Sequence, residues 1–544
     1  MEKRSVISIV LKAHLPFIPR DEGRRASREE LRFFETLSET YLPLLEVLGR
    51  LDADNVPFRL GVSLSPSFCH LLSDENLLKK YLDYTDKQIE FGRQEEERTR
   101  GQEDLHALVR FYSNLVMDRR ISFTERYEGN ILKSLDYFQK KGKVEILATA
   151  ATNAFLPFFC TIPETVQAQL EAGLASYRGN FGRQPQGFWL PELGWTAALD
   201  GHLRSYNFGY TIVESHGLVF GNPPAEKGTF YPVKTPAGIF IFARDYRAGE
   251  EYRAAWSPFY RDNDRDAGYD LPAGVLGPFI SADGGRSRTG YKYYRISGGK
   301  GEKLLYDPAA AGRQAADEAR RFLDGSAARL ASAALLMDEQ TAGLRPVSLC
   351  VFDADDFGRF WYEGPAFIET LFREGARRDD LQFMNPAEYL YRQKSGFQIL
   401  TPEFSSAGIN GYAQTWLDAS NDWIYRHLFR ASDRMVEMAE RFSDDSGLRE
   451  RALNQAAREL LLAEASDWPR MMYGEGNSGI VPVNSESGFP PGFARNRMEE
   501  HLRNFTTIYE ALGSNYISTE WLTGLEKKHN IFPEINYRIF RRKK

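Results

Sequence analysis

Apolar and polar positions along the first 400 or so residues follow two alternating rhythms. Short apolar runs of strand length predict buried strands at Ser5 to Leu11, Phe58 to Leu64, Val144 to Ala150, Gly187 to Leu190, Tyr210 to Glu214 and Val347 to Asp353. Between them, apolar residues recur every three or four positions. Ser27 followed by Glu30 is a capping box, and Leu31, Phe34, Leu37, Tyr41, Leu44, Leu45 and Leu48 continue it at helical spacing. Pro163 to Tyr177, Ala197 to Tyr206 and the Ala-rich stretch Ala309 to Ala331, with a break expected at Gly325, are helical in pattern. This alternation predicts a parallel α/β sheet.

Three segments depart from it. Residues from about 75 to 140 are charged and nearly free of Gly and Pro, more than one crossover helix needs, and are read as a helical insertion. Residues from about 222 to 308 are rich in Gly, Pro and Tyr, with β-like runs at Thr229 to Val233 and Ile239 to Ala243. They are read as a long rim loop. After Pro402 strand signals cease, and Asn421 to Phe442, Leu448 to Asp467, Arg495 to Leu512 and Ile517 to Lys528 read as helices. The expected organisation is therefore an α/β unit over 1–400 and a C-terminal helical domain over 401–544.

Composition narrows the function. The chain has 544 residues, and Lys and Arg total 69 against 75 Asp and Glu, for a net charge of −6. No basic balance speaks for nucleic acid, and no apolar stretch approaches the roughly 20 residues of a membrane span. The apolar run Val6 to Leu11 is too short for a signal peptide and no cleavage site follows, so it is read as a strand. Cys69, Cys160 and Cys350 are too few and too scattered for a disulfide framework or a zinc ribbon, which fits a reducing, cytoplasmic compartment. No phosphate loop, zinc helix or nucleophile elbow occurs. Asp262, Asp264 and Asp266 lack the glycine and the closing glutamate of a calcium loop. Neither a metal nor a cofactor is expected. Aromatic residues, at 13%, exceed what a core alone suggests, and flat rings suit sugar faces.

Two segments carry candidate chemistry. In G-F-W-L-P-E-L-G-W, Glu192 closes a short strand beside Trp189, Pro191 and Trp195. In C-V-F-D-A-D-D-F-G-R-F-W-Y-E-G-P, Asp353 closes another, with Phe360, Trp361 and Tyr362 following. Active sites of parallel barrels sit at the C-terminal strand ends. Two strand-end acids with aromatic neighbours suit two-carboxylate glycoside chemistry. The plain alternatives are a helix-capping Glu192 and an acidic helix N-terminus at Asp353, Asp355 and Asp356.

With these residues in place, the sequence resembles glycoside hydrolase family 57, in particular its α-glucan branching-enzyme branch. The resemblance runs through K-A-H-L-P-F at Lys12 to Phe17, A-T-N-A-F-L-P at Ala151 to Pro157, W-L-P-E at Trp189 to Glu192 and E-S-H-G at Glu214 to Gly217. It continues through T-G-Y-K-Y-Y-R at Thr289 to Arg295, F-D-A-D-D-F-G at Phe352 to Gly358, W-L-D-A-S-N-D-W-I-Y-R-H at Trp416 to His427, S-D-W-P at Ser466 to Pro469 and H-N-I-F-P-E-I-N-Y-R at His529 to Arg538. The resemblance implies an incomplete (β/α)7 barrel with a C-terminal all-helical domain. It also implies a retaining α-glucan-active enzyme, a 1,4-α-glucan branching enzyme or related 4-α-glucanotransferase, using Glu192 as nucleophile and Asp353 as general acid/base. His14, Trp189, His216, Trp361, Trp416, Asp467 and Trp468 are the substrate-binding residues it implies. The expected partner is amylose, glycogen or a maltooligosaccharide, handled by a monomer or weak homo-oligomer.

The chain departs from the family pattern at named places. Lys12 and Asn153 stand where the family has His, Arg359 replaces a His, Ala407 a Trp and Leu193 a Cys, and the loop near Trp256 to Tyr260 looks shortened. These departures keep two other readings open: an amylase-like hydrolase, and a catalytically impaired glucan-binding protein. If Lys12 and Arg359 reach the acids, their charge is expected to hold Asp353 ionised.

Overall fold

The computed structural model describes residues 5–23, 25–254, 271, 274–295, 304–335, 344–393, 395–475 and 489–543. Among the described residues nine strands form one sheet: β1 (Ser5–Ala13), β2 (Leu60–Leu64), β3 (Val144–Thr149), β4 (Gly187–Trp189), β5 (Tyr210–Val213), β6 (Val233–Lys234), β7 (Phe240–Ala243), β8 (Val347–Asp353) and β9 (Leu381–Phe383). The order β7-β5-β4-β3-β2-β1-β8 is parallel throughout. A single parallel bridge between Arg244 and Leu349, with Asp245 N donating to Leu349 O at 2.8 Å, joins β7 back to β8 and closes a seven-stranded barrel. β6 pairs antiparallel with β7 outside this ring, and β9 extends the start of β1.

Strand side chains alternate between the two faces. Val6 and Val10 of β1, Leu147, Trp189, Tyr210, Ile212, Phe242, Val347 and Leu349 pack into one buried cluster that fills the lumen. Ile7, Ile9, Leu11, Cys350 and Phe352 take the other face and pack under the helices. The same alternation puts Lys12, in step with Val6 and Val10, and Asp353, in step with Val347 and Leu349, at the mouth of the lumen. Lys12 and Asp353 are direct partners in the β1–β8 register.

The capping box forms as read: Glu30 N donates to Ser27 Oγ at 3.1 Å and Ser27 N to Glu30 Oε2 at 2.8 Å. The helical pattern that follows is one continuous run, Arg28–Thr36 into Leu42–Ala53, widened over Leu37–Tyr41 into a π-type turn. The insertion between β2 and β3 is three helices, Glu75–Thr99, Glu103–Ile121 and Ile131–Lys140. The Tyr291 to Tyr294 stretch pins it: Lys292 pairs with Glu39 at 2.9 Å, both buried, and Tyr293 OH donates to Glu95 at 2.7 Å.

Two sequence expectations need correction here. The rim segment is not all loop, because Phe240–Ala243 is a barrel strand and Tyr246–Ala254 a helix. The Ala-rich helix runs unbroken from Pro308 to Leu335 through Gly325, whose missing side chain makes room for Glu251. Trp256 to Tyr260 and the Asp262, Asp264, Asp266 run lie outside the described residues.

The helices Tyr425–Arg441, Gly447–Ala463, Asp467–Met472, Phe493–Ser514 and Thr519–Lys528 form the C-terminal unit. Met435, Leu453, Leu460, Phe505, Ile508 and Leu522 share a core there with Ala168 and Ala172 of the barrel helix Pro163–Phe181. Truncating a fully buried leucine such as Leu460 to alanine is worth about 2–5 kcal/mol. The chain between the two units still belongs to the barrel rim: Ile399, Thr401 and Ser405 bridge to Lys234, Asn222 and Trp195. No helix among the described residues is long and apolar enough to cross a membrane.

Candidate active site

Glu192 follows β4 and Leu190-Pro191 in a turn that reverses the chain. It sits in the left-handed region, φ 56° and ψ 23°, and Leu193 beside it has φ 51°. For non-glycine residues this costs on the order of 1–3 kcal/mol each. The surrounding structure over-determines the turn. Ala407 N donates to Glu192 O at 2.7 Å, Leu193 N to Leu190 O at 2.9 Å and Trp195 N to Ser405 O at 2.9 Å. Gly194 is required beside it, since a Cβ there would lie 2.7 Å from the Phe155 ring.

The carboxylate is buried and fully engaged. Its Oε1 accepts from Asn153 Nδ2 at 2.9 Å, Ser466 Oγ at 2.9 Å and Lys12 Nζ at 3.3 Å, and Oε2 lies 3.4 Å from Lys12 Nζ. Asn153 Nδ2 also donates to Ser466 Oγ at 3.0 Å, which fixes the hydroxyl proton on the carboxylate side. Asn153 is itself at φ 58°, a conformation asparagine tolerates better than most residues. Burial pushes the Glu192 carboxyl up, but Lys12 first, then Arg470 and the Ser466 hydrogen bond, outweigh it and hold the group below the ordinary value.

Asp353 ends β8 with its side chain half exposed, its Oδ1 4.0 Å from the same Lys12 ammonium. One cation thus stands between the two acids, and the separation of those oxygens cannot exceed the sum of the two contacts. The next acids behave differently. Burial raises Asp355, against the pull of Arg359, and burial together with the charge of Asp353 raises Asp356 well above the carboxylate range.

His14, one residue past β1, completes a second chain of contacts. Its Nε2 lies 2.9 Å from Asp467 Oδ2 and its Nδ1 2.8 Å from Ser65 Oγ at the end of β2. Burial pushes Asp467 up, but His14 and then Lys12 and Arg470 hold it low. An ionised Asp467 only accepts, so His14 Nε2 donates to it. Lys12, His14 and Asp467 therefore share one surface with Glu192 and Asp353.

The remaining candidates fall apart into separate groups. His216 opens the turn after β5, its Nε2 2.9 Å from Gly411 O and its ring 4.9 Å from that of Tyr412, which is 44% exposed. Trp189 fills the lumen below Glu192. Trp416 is buried, stacked on Phe155 at 5.3 Å and 9°, with Ala407 packed alongside. Trp361 is sealed among Tyr252, Phe357 and Phe367 on the outer side of β8, and Trp468 is buried with its indole donating to Leu462 O at 2.8 Å. Trp361 and Trp468, expected among the substrate-binding residues, have both rings in the core.

Arg359 also corrects the sequence expectation. Gly358 turns at φ 135° against the Glu39 carbonyl, which aims Arg359 away from the acids and onto Glu35 at 3.3 Å. Lys12 alone of the two reaches them. The sequence reading missed Ser466 and Arg470 as members of the site. Ser466 touches Glu192 across 274 residues, a pairing that no local pattern encodes.

Comparison with known proteins agrees with this architecture. Residues 8–270 match the family described as "Glycosyl hydrolase family 57", and residues 427–540 match "1,4-alpha-glucan branching enzyme, C-terminal". The chain belongs to glycoside hydrolase family 57. It is 34% identical to the solved structure of the novel alpha-amylase AmyC from Thermotoga maritima, with 100% of both chains covered and a TM-score of 0.88. The GH57-type branching enzyme structure from Pyrococcus horikoshii is 25% identical, with 99% of this chain and 97% of that chain covered and a TM-score of 0.84. The 1,4-alpha-glucan branching enzyme TK1436 of Thermococcus kodakarensis is 28% identical over 97% of this chain and 77% of that protein.

Proposed function

We propose that this protein is a retaining enzyme acting on α-1,4-glucan, with Glu192 as nucleophile and Asp353 as proton donor. The observation that carries the reading is that both acids reach the same Lys12 ammonium, at 3.3 and 4.0 Å, on the C-terminal end of one barrel. Retaining glycosidases need their carboxyl groups close, about 5–5.5 Å apart, so that one acid bonds the sugar while the other protonates the leaving oxygen. The environments supply the asymmetry. Glu192 is buried, clamped by three donors and held ionised, ready to attack the anomeric carbon. Asp353 is half exposed at the mouth, where a leaving or incoming hydroxyl arrives. The glycosyl ester on Glu192 is then resolved by a second sugar hydroxyl, as in a branching enzyme or 4-α-glucanotransferase. Tyr412, exposed on His216 one strand away, is the ring we assign to sugar stacking in place of the buried Trp416. The free Cys69, Cys160 and Cys350 support a cytoplasmic location.

A second reading, hydrolysis, is favoured by Ala407, whose small side chain leaves the rim beside Glu192 less covered, and by the full-length likeness to the AmyC amylase. Incubating amylose with the protein and counting α-1,6 branch points and reducing ends separates the two. New branches without new reducing ends mean transfer, and reducing ends alone mean hydrolysis. Glu192→Gln is expected to lower turnover by about 10⁴-fold or more while glucan binding persists. A wild type no faster than Glu192→Gln on any α-glucan, with both binding it, establishes a glucan-binding protein instead.

A further inference from the structure

We propose that Lys12 is a counter-ion shared by Glu192 and Asp353, following the single negative charge of the pair as it moves from one acid to the other during the reaction. The inference rests on the retaining reading above and adds a residue to its machinery.

The geometry comes first. Lys12 is on the lumen face of β1, its side chain 10% exposed, directly opposite Asp353 in the β1–β8 register. Its Nζ spans both Glu192 oxygens at 3.3 and 3.4 Å and stands 4.0 Å from Asp353 Oδ1. The charged groups facing it are Glu192, Asp353, Asp467 and Arg470. Asp467 has His14 at 2.9 Å as its nearer partner, and Arg470 faces the same acids as Lys12. Burial pulls the ammonium down, yet Glu192 and Asp353 raise it overall, so it stays charged.

The charge is conserved through both steps. In the first, a Glu192 oxygen bonds to the anomeric carbon as the glycosidic C–O bond breaks. The proton of Asp353 passes to the leaving oxygen. Glu192 becomes a neutral ester and Asp353 a carboxylate. In the second, Asp353 takes the proton of the incoming hydroxyl, that oxygen bonds to the anomeric carbon, and the ester bond breaks to return the Glu192 carboxylate. The pair carries one negative charge in each resting state, on Glu192 before and on Asp353 after. The unequal distances fit this order. Glu192, the anion of the first step, is the nearer of the two to the ammonium. Once Glu192 is esterified, Asp353 is the anion that remains. A neutral imidazole at this position lacks that fixed charge, so Lys12 is a change of chemistry rather than a loss of it.

The test compares wild type with Lys12→Met, Lys12→Gln and Lys12→Arg. It measures kcat/KM against pH on a maltooligosaccharide, with formation of the glycosyl adduct from an activated maltosyl fluoride followed by intact mass. Removing the cation raises the proton affinity of both acids. Lys12→Met and Lys12→Gln are therefore expected to shift both limbs of the profile to higher pH by about 1–3 units and to lower the optimum kcat/KM by about 10²-fold. Lys12→Arg is expected to keep the limbs near their wild-type positions. Thermal melts report folding, and Lys12→Gln stands in if Lys12→Met does not fold. Limbs that stay in place in both neutral variants, or neutral variants as fast as wild type or faster, overturn the proposal. A wild type that forms no adduct absent from Glu192→Gln overturns the retaining reading itself, which is a separate result.

Discussion

Asp467 Oδ2 lies 2.9 Å from His14 Nε2, a contact that ties the end of β1 to the first turn of a helix 453 residues further along the chain. Asp467 is buried and His14 partly so, and Asp467 also faces Lys12 and Arg470. Asp467→Ala takes from His14 its carboxylate partner and is expected to cost about 3–5 kcal/mol in stability by chemical denaturation near neutral pH. The pH dependence has a definite sign. Burial raises Asp467, but His14, Lys12 and Arg470 hold its folded value below the ordinary 3.8. The charge therefore contributes stability above that pH and loses it as pH falls through the folded value. The difference between wild type and Asp467→Ala should be full at pH 6 and shrink below pH 3.8.

Asn153 donates to the Glu192 carboxylate at 2.9 Å, where an aspartate of the same shape would oppose it. Asn153→Asp exchanges a donor for a second negative charge, which raises the proton affinity of Glu192. The low-pH limb of kcat/KM is expected to move up by about 1 unit or more. An unmoved limb with an unchanged melting temperature would separate Asn153 from the nucleophile.

Tyr412 and Trp361 should part ways when truncated. Tyr412→Ala removes an exposed ring beside His216, and a stacking loss of about 0.5–1.5 kcal/mol corresponds to KM for long glucans rising about 3–10-fold, with kcat nearly unchanged. Trp361→Ala instead opens a cavity among Tyr252, Phe357 and Phe367 and should cost about 3–5 kcal/mol of stability. Equal effects on KM from both would refute the assignment of the platform.

Glu464 offers a test away from the site. Burial pushes its carboxyl up to about 8, against hydrogen bonds from Gln169 Nε2 at 2.8 Å and Ser432 Oγ at 3.2 Å. The folded protein therefore keeps a proton there that the unfolded chain, at an ordinary 4.5, gives up. Stability from this group is present below 4.5 and is lost as pH rises toward 8. Glu464→Gln should gain on wild type across that window by about 1 kcal/mol or more and level off above it.

The two acids were legible because each closes an apolar run, and the end of a buried strand is where a parallel barrel exposes side chains. The capping box at Ser27 and Glu30 was legible for a similar reason, since its donors and acceptors are three residues apart. Phe240–Ala243 was half hidden, because four residues in a Gly- and Pro-rich stretch give too little periodicity to mark a barrel strand, and Leu381–Phe383 is shorter still. A family resemblance does not disclose exposure, so Trp361, Trp416 and Trp468 were expected to bind substrate while tertiary packing buries their rings. Arg359 was weighed as a partner of the acids because it replaces a family His, and the turn at Gly358 aims it elsewhere. Ser466 and Arg470 carry no local signature, since their role depends on a contact made across the whole fold.

That Ser466, Asp467 and Arg470 reach back over the barrel mouth has a consequence for biosynthesis. The last strand of the sheet is finished at Phe383, yet the serine that holds Glu192 and the carboxylate that holds His14 are added more than eighty residues later. A nascent chain with all its strands translated still has a Glu192 without its hydroxyl partner and an apolar helix face at Ala168 and Ala172 without its cover. The hydroxyl partner of Glu192 and the cover of that face arrive together, so the arrangement proposed for the site is complete only once the C-terminal helices have been made.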